Sequence, residues 1–77
     1  MAQGQKSVSD LKIGEKGTVC CFRDEVMSLK LMEMGCLPGS EVTLAHTAPF
    51  GDPICIHVGG YSLSLSLREA STIVLTD

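Results

Sequence analysis

Residues 31–53, LMEMGCLPGSEVTLAHTAPFGDP, decide the fold of this chain. They begin with the apolar spacing of a helix, and Gly35 stands where a helix ends in a left-handed residue. Pro38-Gly39 predicts a turn, because proline fixes φ and the following glycine accepts a positive φ. The alternation over residues 41–48 predicts a strand that ends in the proline-bounded loop 49–53. We therefore expect a helix, a fixed turn, a strand and a rigid loop in that order.

Upstream of this stretch, the main helix is expected to begin after Asp24, whose side chain is suited to an N-cap. At about 100° per residue, Met27, Leu31 and Met34 fall on one stripe, which is the natural core face. Leu29 and Met32 lie outside that stripe and form a second apolar patch. This patch is either buried within the small domain or partly exposed as a docking surface, since exposed apolar patches mark interfaces.

The remaining strands follow from short alternating runs and their breakers. Residues 15–22, 54–58, 61–65 and 73–75 predict four more strands, and Gly59-Gly60 predicts a two-residue hairpin turn. Single helical turns are expected near Ser9 and after Ser66, where Ser66-Leu67-Arg68-Glu69 fits a capping box. The fold class is therefore mainly β. Five short strands with one inserted α-helix and short helical turns predict a small, partly closed β-barrel.

Length and composition predict one folded domain over residues 9–77, after a flexible N-terminus at residues 1–8. The chain has 77 residues, a net charge of −3 and a hydrophobic fraction of 44%. The acidic balance argues against a nucleic-acid partner, which requires basic surface. No apolar run reaches the ~18 residues of a membrane span, and the first residues lack a signal core. We therefore expect no direct membrane insertion and a cytoplasmic location.

The cysteines and histidines do not converge on one point in a regular strand pattern. Cys20 and Cys21 are adjacent, so strict alternation places them on opposite sides of their strand. His46 falls on the inward-facing set of its strand and His57 on the outward-facing set, unless a bulge shifts the phase. The sequence therefore favours no metal site and no bound cofactor. Cys55 and His57 are the candidate ligands if ferrous iron or zinc binds weakly.

No set of residues matches the machinery of a known class of enzyme. The sequence has no P-loop, no G-x-G-x-x-G and no H-E-x-x-H, and its carboxylates are scattered through turns and caps. With no cysteine in CxxC spacing and no signal peptide, free thiols in a reducing compartment are expected. We therefore expect a binding or regulatory module and not an enzyme.

Several motifs resemble those of the ferrous iron transport protein A (FeoA) family. These are L-x-E-M-G-x-x-P-G at residues 31–39, A-P-x-G-D-P at residues 48–53, Ser9-Asp10-Leu11 and the capping box at residues 66–69. The resemblance runs in register from Ser9 to Leu75. It implies an SH3-like β-barrel with an inserted helix. It also implies a cytoplasmic accessory role beside FeoB, the membrane GTPase that carries ferrous iron inward in bacteria.

The resemblance also indicates where a partner would bind. The implied partner is the cytoplasmic G domain or the membrane region of a FeoB-type transporter, which would hold this protein peripherally at the inner membrane. The loop has a simpler interpretation as well, because glycine and aspartate between two prolines can serve only to turn the chain. The candidate partner-binding residues are Leu29, Met32, Glu33, Pro49, Phe50, Gly51, Asp52 and Pro53.

Three alternatives remain open at this point. The first is a small carrier that holds ferrous iron or zinc at Cys55 and His57. The second is an SH3-like interaction module akin to the C-terminal domain of metal-dependent repressors. The third is self-association to a homo-oligomer, because small barrels leave edge strands that can pair.

Overall fold

A computed structural model describes residues 6–76 and contains the predicted number of strands. The prediction of a mainly β fold with five strands and one inserted helix is confirmed. In chain order, the elements are a 3-10 turn Val8–Asp10, β1 Lys16–Phe22, α1 Glu25–Glu33, β2 Glu41–Thr47, β3 Ile54–Val58, β4 Tyr61–Leu65, a short helix α2 Leu67–Ser71 and β5 Ile73–Leu75.

The strands form a single antiparallel sheet in the order β4-β3-β2-β1-β5. Within residues 6–76, β4 and β5 are its two edges and do not pair, so the barrel is not closed by hydrogen bonds. The short helix α2 follows β4 directly in the chain and contacts both edge strands. The largest fully buried side chains, all apolar, are Leu31, Ile56, Leu65, Ile73, Val8, Val19, Val42 and Cys36.

Helix α1 begins and ends as its sequence signals predict. The carboxylate of Asp24 accepts a hydrogen bond of 2.9 Å from the Met27 amide, which is the N-cap interaction. Leu31 is fully buried, while Met27 and Met34 pack against the core with part of their surface exposed. Gly35 follows the helix at φ +104°, the left-handed conformation that a glycine C-cap supplies.

The capping box of α2 is also present, and it connects this helix to α1. Glu69 Oε1 accepts from the Ser66 amide at 2.9 Å, and Ser66 Oγ accepts from the Glu69 amide at 3.1 Å. The second oxygen, Glu69 Oε2, accepts from Lys30 Nζ at 2.8 Å. The pKa of the Glu69 carboxyl is lowered, mainly by the hydrogen bond from Lys30 and to a smaller extent by the one from the Ser66 amide.

The flexible N-terminus expected at residues 1–8 includes residues that the structure places in the folded domain. Residues 1–5 lie outside the described residues, but Val8 is fully buried and Ser7 is nearly so. The Leu75 amide donates a 2.8 Å hydrogen bond to the carbonyl of Lys6, and Ser7 forms a β-bridge with Val74. The first helical turn accordingly begins after Ser7, not after Ser9. Lys6–Val8 therefore belong to the folded domain, because they cover the open side of β5.

Tyr61 departs from the alternation predicted for β4. The sequence pattern places it inward with Leu63 and Leu65, but the Tyr61 side chain is 49% exposed. Its hydroxyl donates a 2.9 Å hydrogen bond to the carbonyl of Met34, the C-cap residue of α1. At the end of a hairpin, an amphipathic ring can lie along the surface and satisfy its polar tip at a helix end.

Candidate docking surface

The solvent-facing side of α1 carries two exposed apolar side chains. Val26 is 81% exposed and Leu29 is 64% exposed, although both belong to a helix whose other face is buried. Helical spacing places them on one side with Glu33, which is also exposed. Neither side chain belongs to the hydrophobic core formed by the described residues 6–76. They are therefore free to contact another molecule.

Met32 and Leu29 do not share the same environment. Met32 is half-buried, whereas Leu29 lies fully on the outer side of the helix. The sequence grouped these two residues in one patch, but Leu29 groups more closely with Val26. Met32 forms the boundary between this outer face and the core.

The loop after β2 holds an aromatic side chain in solvent. The Gly51 amide donates to the carbonyl of Ala48 at 2.8 Å, which closes a turn across Pro49 and Phe50. A second bond of 2.9 Å joins the Ala48 amide to the carbonyl of Pro53 and closes the base of the loop. Phe50 is 97% exposed at the tip of this turn. The backbone is fixed, and the largest apolar side chain of the loop points away from the protein.

Asp52 has a structural role in the same loop. Its carboxylate accepts a 3.0 Å hydrogen bond from the amide of Leu67, the first residue of α2. Gly51 adopts φ +87°, a conformation that favours glycine, and the Asp52–Pro53 peptide bond is cis. Asp52 and Gly51 therefore shape the loop, and Phe50 is its exposed apolar residue.

Helix α2 joins the two predicted contact segments. Its first residue is hydrogen-bonded to the loop through Asp52, and Glu69 is paired with Lys30 of α1. Leu67 itself is an exposed apolar residue at the start of α2. We name as the docking surface the exposed apolar residues of these three connected elements: Val26, Leu29, Phe50 and Leu67.

Two of these four residues were not among the predicted contacts. Val26 could have been found, because it lies three residues before Leu29 and outside the Met27–Leu31–Met34 stripe. Leu67 carries no such signal. Its exposure follows from the packing of α2, a helix of only five residues that has no apolar period to analyse.

A β-bulge changes the predicted placement of His46. The pairing of β2 with β3 passes from Leu44–Ile56 to His46–Cys55, so Ala45 is an extra residue in β2. His46 is exposed and lies directly opposite Cys55, so the prediction that it points inward is wrong. The bulge inverts the alternation for every residue that follows it in the strand.

Cys55 and His57 share the outer face of the sheet with His46. Cys55 is half-buried and His57 is exposed, and they are two residues apart in β3. The predicted separation of the histidines onto opposite faces therefore does not hold. Even so, no group of three His, Cys, Asp or Glu side chains within residues 6–76 is arranged to hold a metal ion.

A second bulge brings Cys20 and Cys21 to the same surface. The pairing of β1 with β5 passes from Val19–Leu75 to Cys21–Val74, which makes Cys20 the extra residue. Both cysteines are exposed, so the prediction that they face opposite sides is wrong. A hydrogen bond between the two side chains, followed by desolvation, raises the pKa of the Cys21 thiol.

The thiols are expected to differ in their reaction with a water-soluble alkylating agent. Cys20 and Cys21 should be modified in the native protein, and the half-buried Cys55 more slowly. Cys36 is fully buried, and this burial raises the pKa of its thiol, so it should react only after unfolding. Mass spectrometry of peptides from timed samples measures each rate. Modification of all four thiols in urea is the control, and a native Cys36 rate equal to that of Cys20 would contradict the structure.

A shallow groove lies on the outer side of the sheet, beside the end of α1. Its volume is about 340 Å³, and its lining includes Gly35, Glu41, His57 and Tyr61. The carboxylate and the imidazole offer two polar groups, but the groove is open to solvent and its volume lies at the lower end of the range for ligand pockets. The groove does not suggest a particular ligand, and the exposed apolar residues remain the most distinctive surface feature.

One family model covers nearly the whole chain. The family model described as FeoA domain matches residues 6–77. The chain belongs to the FeoA domain family. No curated protein matches it.

Two solved structures of this family are close in fold to the chain. A FeoA-like protein from Clostridium acetobutylicum is 34% identical, with a TM-score of 0.87, over 94% of this chain and 85% of that protein. The FeoA of Stenotrophomonas maltophilia, solved in complex with zinc, is 25% identical, with a TM-score of 0.81, over 92% of this chain and 89% of that protein. The latter is described as a prokaryotic SH3 domain protein and a candidate activating factor of ferrous iron transport. The predicted SH3-like fold is thereby confirmed.

The same fold occurs in part of a larger regulator. A manganese-dependent transcriptional repressor with bound manganese has a TM-score of 0.84 over 97% of this FeoA domain and 37% of the repressor, at 18% identity. At this identity the likeness shows the fold alone.

Between residues 6 and 76, neither helix has the length and apolar character needed to cross a membrane.

Proposed function

We propose that this FeoA domain is an accessory module of ferrous iron uptake that regulates a FeoB-type membrane GTPase by docking on it. It acts in the cytoplasm, is held peripherally at the inner membrane through the transporter, and works by binding and not by catalysis. Membership of the FeoA family supports this proposal. So does the description of the S. maltophilia relative as a candidate activating factor.

The observation that carries the proposal is the set of exposed apolar residues on three connected elements. Val26 and Leu29 on α1, Phe50 on the loop and Leu67 on α2 leave large apolar side chains in water. Single exposed apolar residues are common, but here their elements are linked by the Lys30–Glu69 and Leu67–Asp52 hydrogen bonds. A surface with fixed geometry and several apolar side chains is typical of an interface.

Phe50 is suited to be the anchor of such an interface. Aromatic side chains are frequent among the few residues that dominate binding energies. The turn that carries Phe50 is already closed by backbone hydrogen bonds, and Asp52 attaches it to α2. Binding therefore orders little additional backbone, and more of the free energy of burying the ring contributes to affinity.

Regulation requires that the docking surface distinguish two states of the partner. A module that binds both nucleotide states of a GTPase equally shifts neither. A tenfold preference corresponds to about 1.4 kcal/mol. Burying one large apolar side chain contributes about 1.5–3 kcal/mol. If only one nucleotide state of the partner has a pocket for Phe50, the affinities for the two states would therefore differ at least tenfold.

The test is an amide chemical-shift titration of this protein with the soluble G domain of the transporter, in its GTP-analogue and GDP forms. We expect shifts at α1, the 48–53 loop and the start of α2, stronger in one nucleotide state. Phe50→Ser and Leu29→Ser should each weaken binding about tenfold or more, because each removes an apolar contact. Both side chains are exposed, so the variants should retain the fold.

The matched control is Ile13→Ser. Ile13 is 66% exposed, a fraction similar to the 64% of Leu29. It belongs to a different part of the surface, because its turn is hydrogen-bonded to β2 through Gly14 and Leu44. This variant should bind like the wild-type protein. Equal binding by all three variants would refute the docking surface. Absence of shifts in either nucleotide state would exclude the G domain and direct the search to the membrane region of the transporter.

The second candidate is a carrier that binds ferrous iron or zinc at Cys55 and His57. The bulge in β2 favours it to a limited extent, since it places His46 on the same face. Metal sites in proteins need three or four ligands that converge, and residues 6–76 contain no such group. The docking function is therefore the better supported of the two.

A further inference from the structure

The sheet has one covered edge and one open edge. Beside β5, the Leu75 amide is bonded to the carbonyl of Lys6, and Ser7 bridges to Val74. At the other end of the sheet, β4 pairs with β3 on one side only. Within the described residues, no backbone hydrogen bond from outside the sheet reaches Ser62 or Ser64 of β4. The outer side of β4 is therefore available for pairing.

The hairpin turn fixes which backbone groups of β4 point to this open side. A two-residue turn makes the first pair of the hairpin a hydrogen-bonded pair, and such pairs then alternate along the strands. Tyr61, Leu63 and Leu65 are the β4 members of the bonded pairs with β3. The N–H and C=O groups of Ser62 and Ser64 therefore point outward.

The usual protections of an edge strand are missing from β4. Natural edges carry charged side chains, prolines or bulges, which prevent pairing with another chain. The strand Tyr61–Leu65 has the sequence YSLSL, without charge or proline, and its register with β3 has no shift. Ser62 and Ser64 are both exposed, so no other part of the described chain covers them.

We propose that two copies of this chain associate through their β4 strands, in antiparallel pairing about a two-fold axis at Leu63. This register places Ser62 of one copy opposite Ser64 of the other. These are the two residues whose backbone groups point outward, so each of the two serine pairs can exchange both of its N–H···O=C bonds. The result is one continuous sheet across both copies.

The side chains are compatible with the same register. The sequence YSLSL reads apolar-polar-apolar-polar-apolar in both directions, so serine faces serine and the apolar residues face apolar residues. Leu63 is half-buried and meets its own copy at the axis as a non-hydrogen-bonded pair, in which side chains approach most closely. With no charge on the strand, no repulsion opposes the contact. The interface is small, and the association is weak and concentration-dependent.

The test is sedimentation equilibrium of the full chain over a wide range of concentrations, on the wild-type protein and two matched charge variants. S62K/S64K places like charges directly opposite each other in this register, and S62K/S64E places opposite charges there. Both variants alter the same two exposed positions, and circular dichroism checks that they stay folded. We expect S62K/S64K to dimerise at least tenfold more weakly than S62K/S64E.

A backbone variant tests the hydrogen bonds independently of charge. Ser62→Pro removes an outward N–H that β3 does not use, whereas Ser62→Ala keeps it. We expect the proline variant to remain monomeric and the alanine variant to dimerise like the wild type. A monomeric wild-type protein at every concentration, or equal dimerisation of the two charge variants, would overturn the proposal. Pairing of β4 only with a strand of the transporter, seen as shifts at residues 62–64, would overturn it too.

Discussion

Replacing Gly35 by alanine is expected to destabilise the protein by about 2–5 kcal/mol. Gly35 adopts φ +104°, and a Cβ atom built on it would lie 1.5 Å from Tyr61 Oη and 2.8 Å from Tyr61 Cζ. Displacing the side chain of Tyr61 breaks the hydrogen bond from its hydroxyl to the carbonyl of Met34. The substitution therefore combines backbone strain with the loss of the contact between β4 and the end of α1.

Urea and thermal unfolding measure this effect, and Gly39→Ala is the matched control. Gly39 has a similar φ of +92°, but, its two chain neighbours apart, no atom of residues 6–76 lies within 4 Å of the position of its Cβ. Its replacement should cost only the left-handed conformation, about 1–2 kcal/mol. In a Tyr61→Ala background the cost of Gly35→Ala should fall toward that of Gly39→Ala. Equal costs for the two glycines in the wild-type background would show that Tyr61 does not confine this position.

Leu31→Ala is expected to cost about 2–5 kcal/mol, while Leu29→Ala, two positions earlier in the same helix, should change stability by less than about 0.5 kcal/mol. Leu31 is fully buried and among the largest side chains in the core, so its truncation leaves a cavity. Leu29 is mostly exposed, so its truncation removes little buried contact. Unfolding curves of both variants check this difference.

This pair of leucines also separates stability from function. A domain of this size has a total stability of about 4–12 kcal/mol, so Leu31→Ala would remove a large share of it and, at the lower end of this range, populate the unfolded state. Any loss of binding by this variant would then reflect the loss of folded protein. Leu29→Ala should leave the folded population unchanged and act only on docking. A large loss of stability in Leu29→Ala would mean that this residue belongs to the core.

Two of the four residues of the proposed docking surface, Leu29 and Phe50, were named from the sequence. Leu29 follows from its position outside the core stripe of α1, and Phe50 from the resemblance of its loop to that of the FeoA family. Val26 and Leu67 were missed. The exposure of Leu67 depends on how the short helix α2 packs against β4 and β5, and a helix of five residues has no apolar period that would predict this packing.

Two errors on the sheet have one common cause. His46 was expected to point inward, and Cys20 and Cys21 were expected to lie on opposite sides, because both inferences assumed uninterrupted alternation. A bulge at Ala45 and another at Cys20 break that alternation. A bulge forms where the register on either side of it is fixed by pairing with a distant strand, so the sequence of one strand does not reveal it.

The sequence by itself determined the features whose signals lie within a few residues of one another. These are the Asp24 cap, the Gly35 end of α1, the Gly59-Gly60 hairpin and the Ser66–Glu69 capping box, each of which satisfies its own backbone groups locally. Only the tertiary structure decided the two bulges, the Tyr61–Met34 hydrogen bond and the connection of α1 and the loop through α2. These features depend on contacts between segments far apart in the chain. Such contacts form, and stabilise the protein, only when the sheet is assembled.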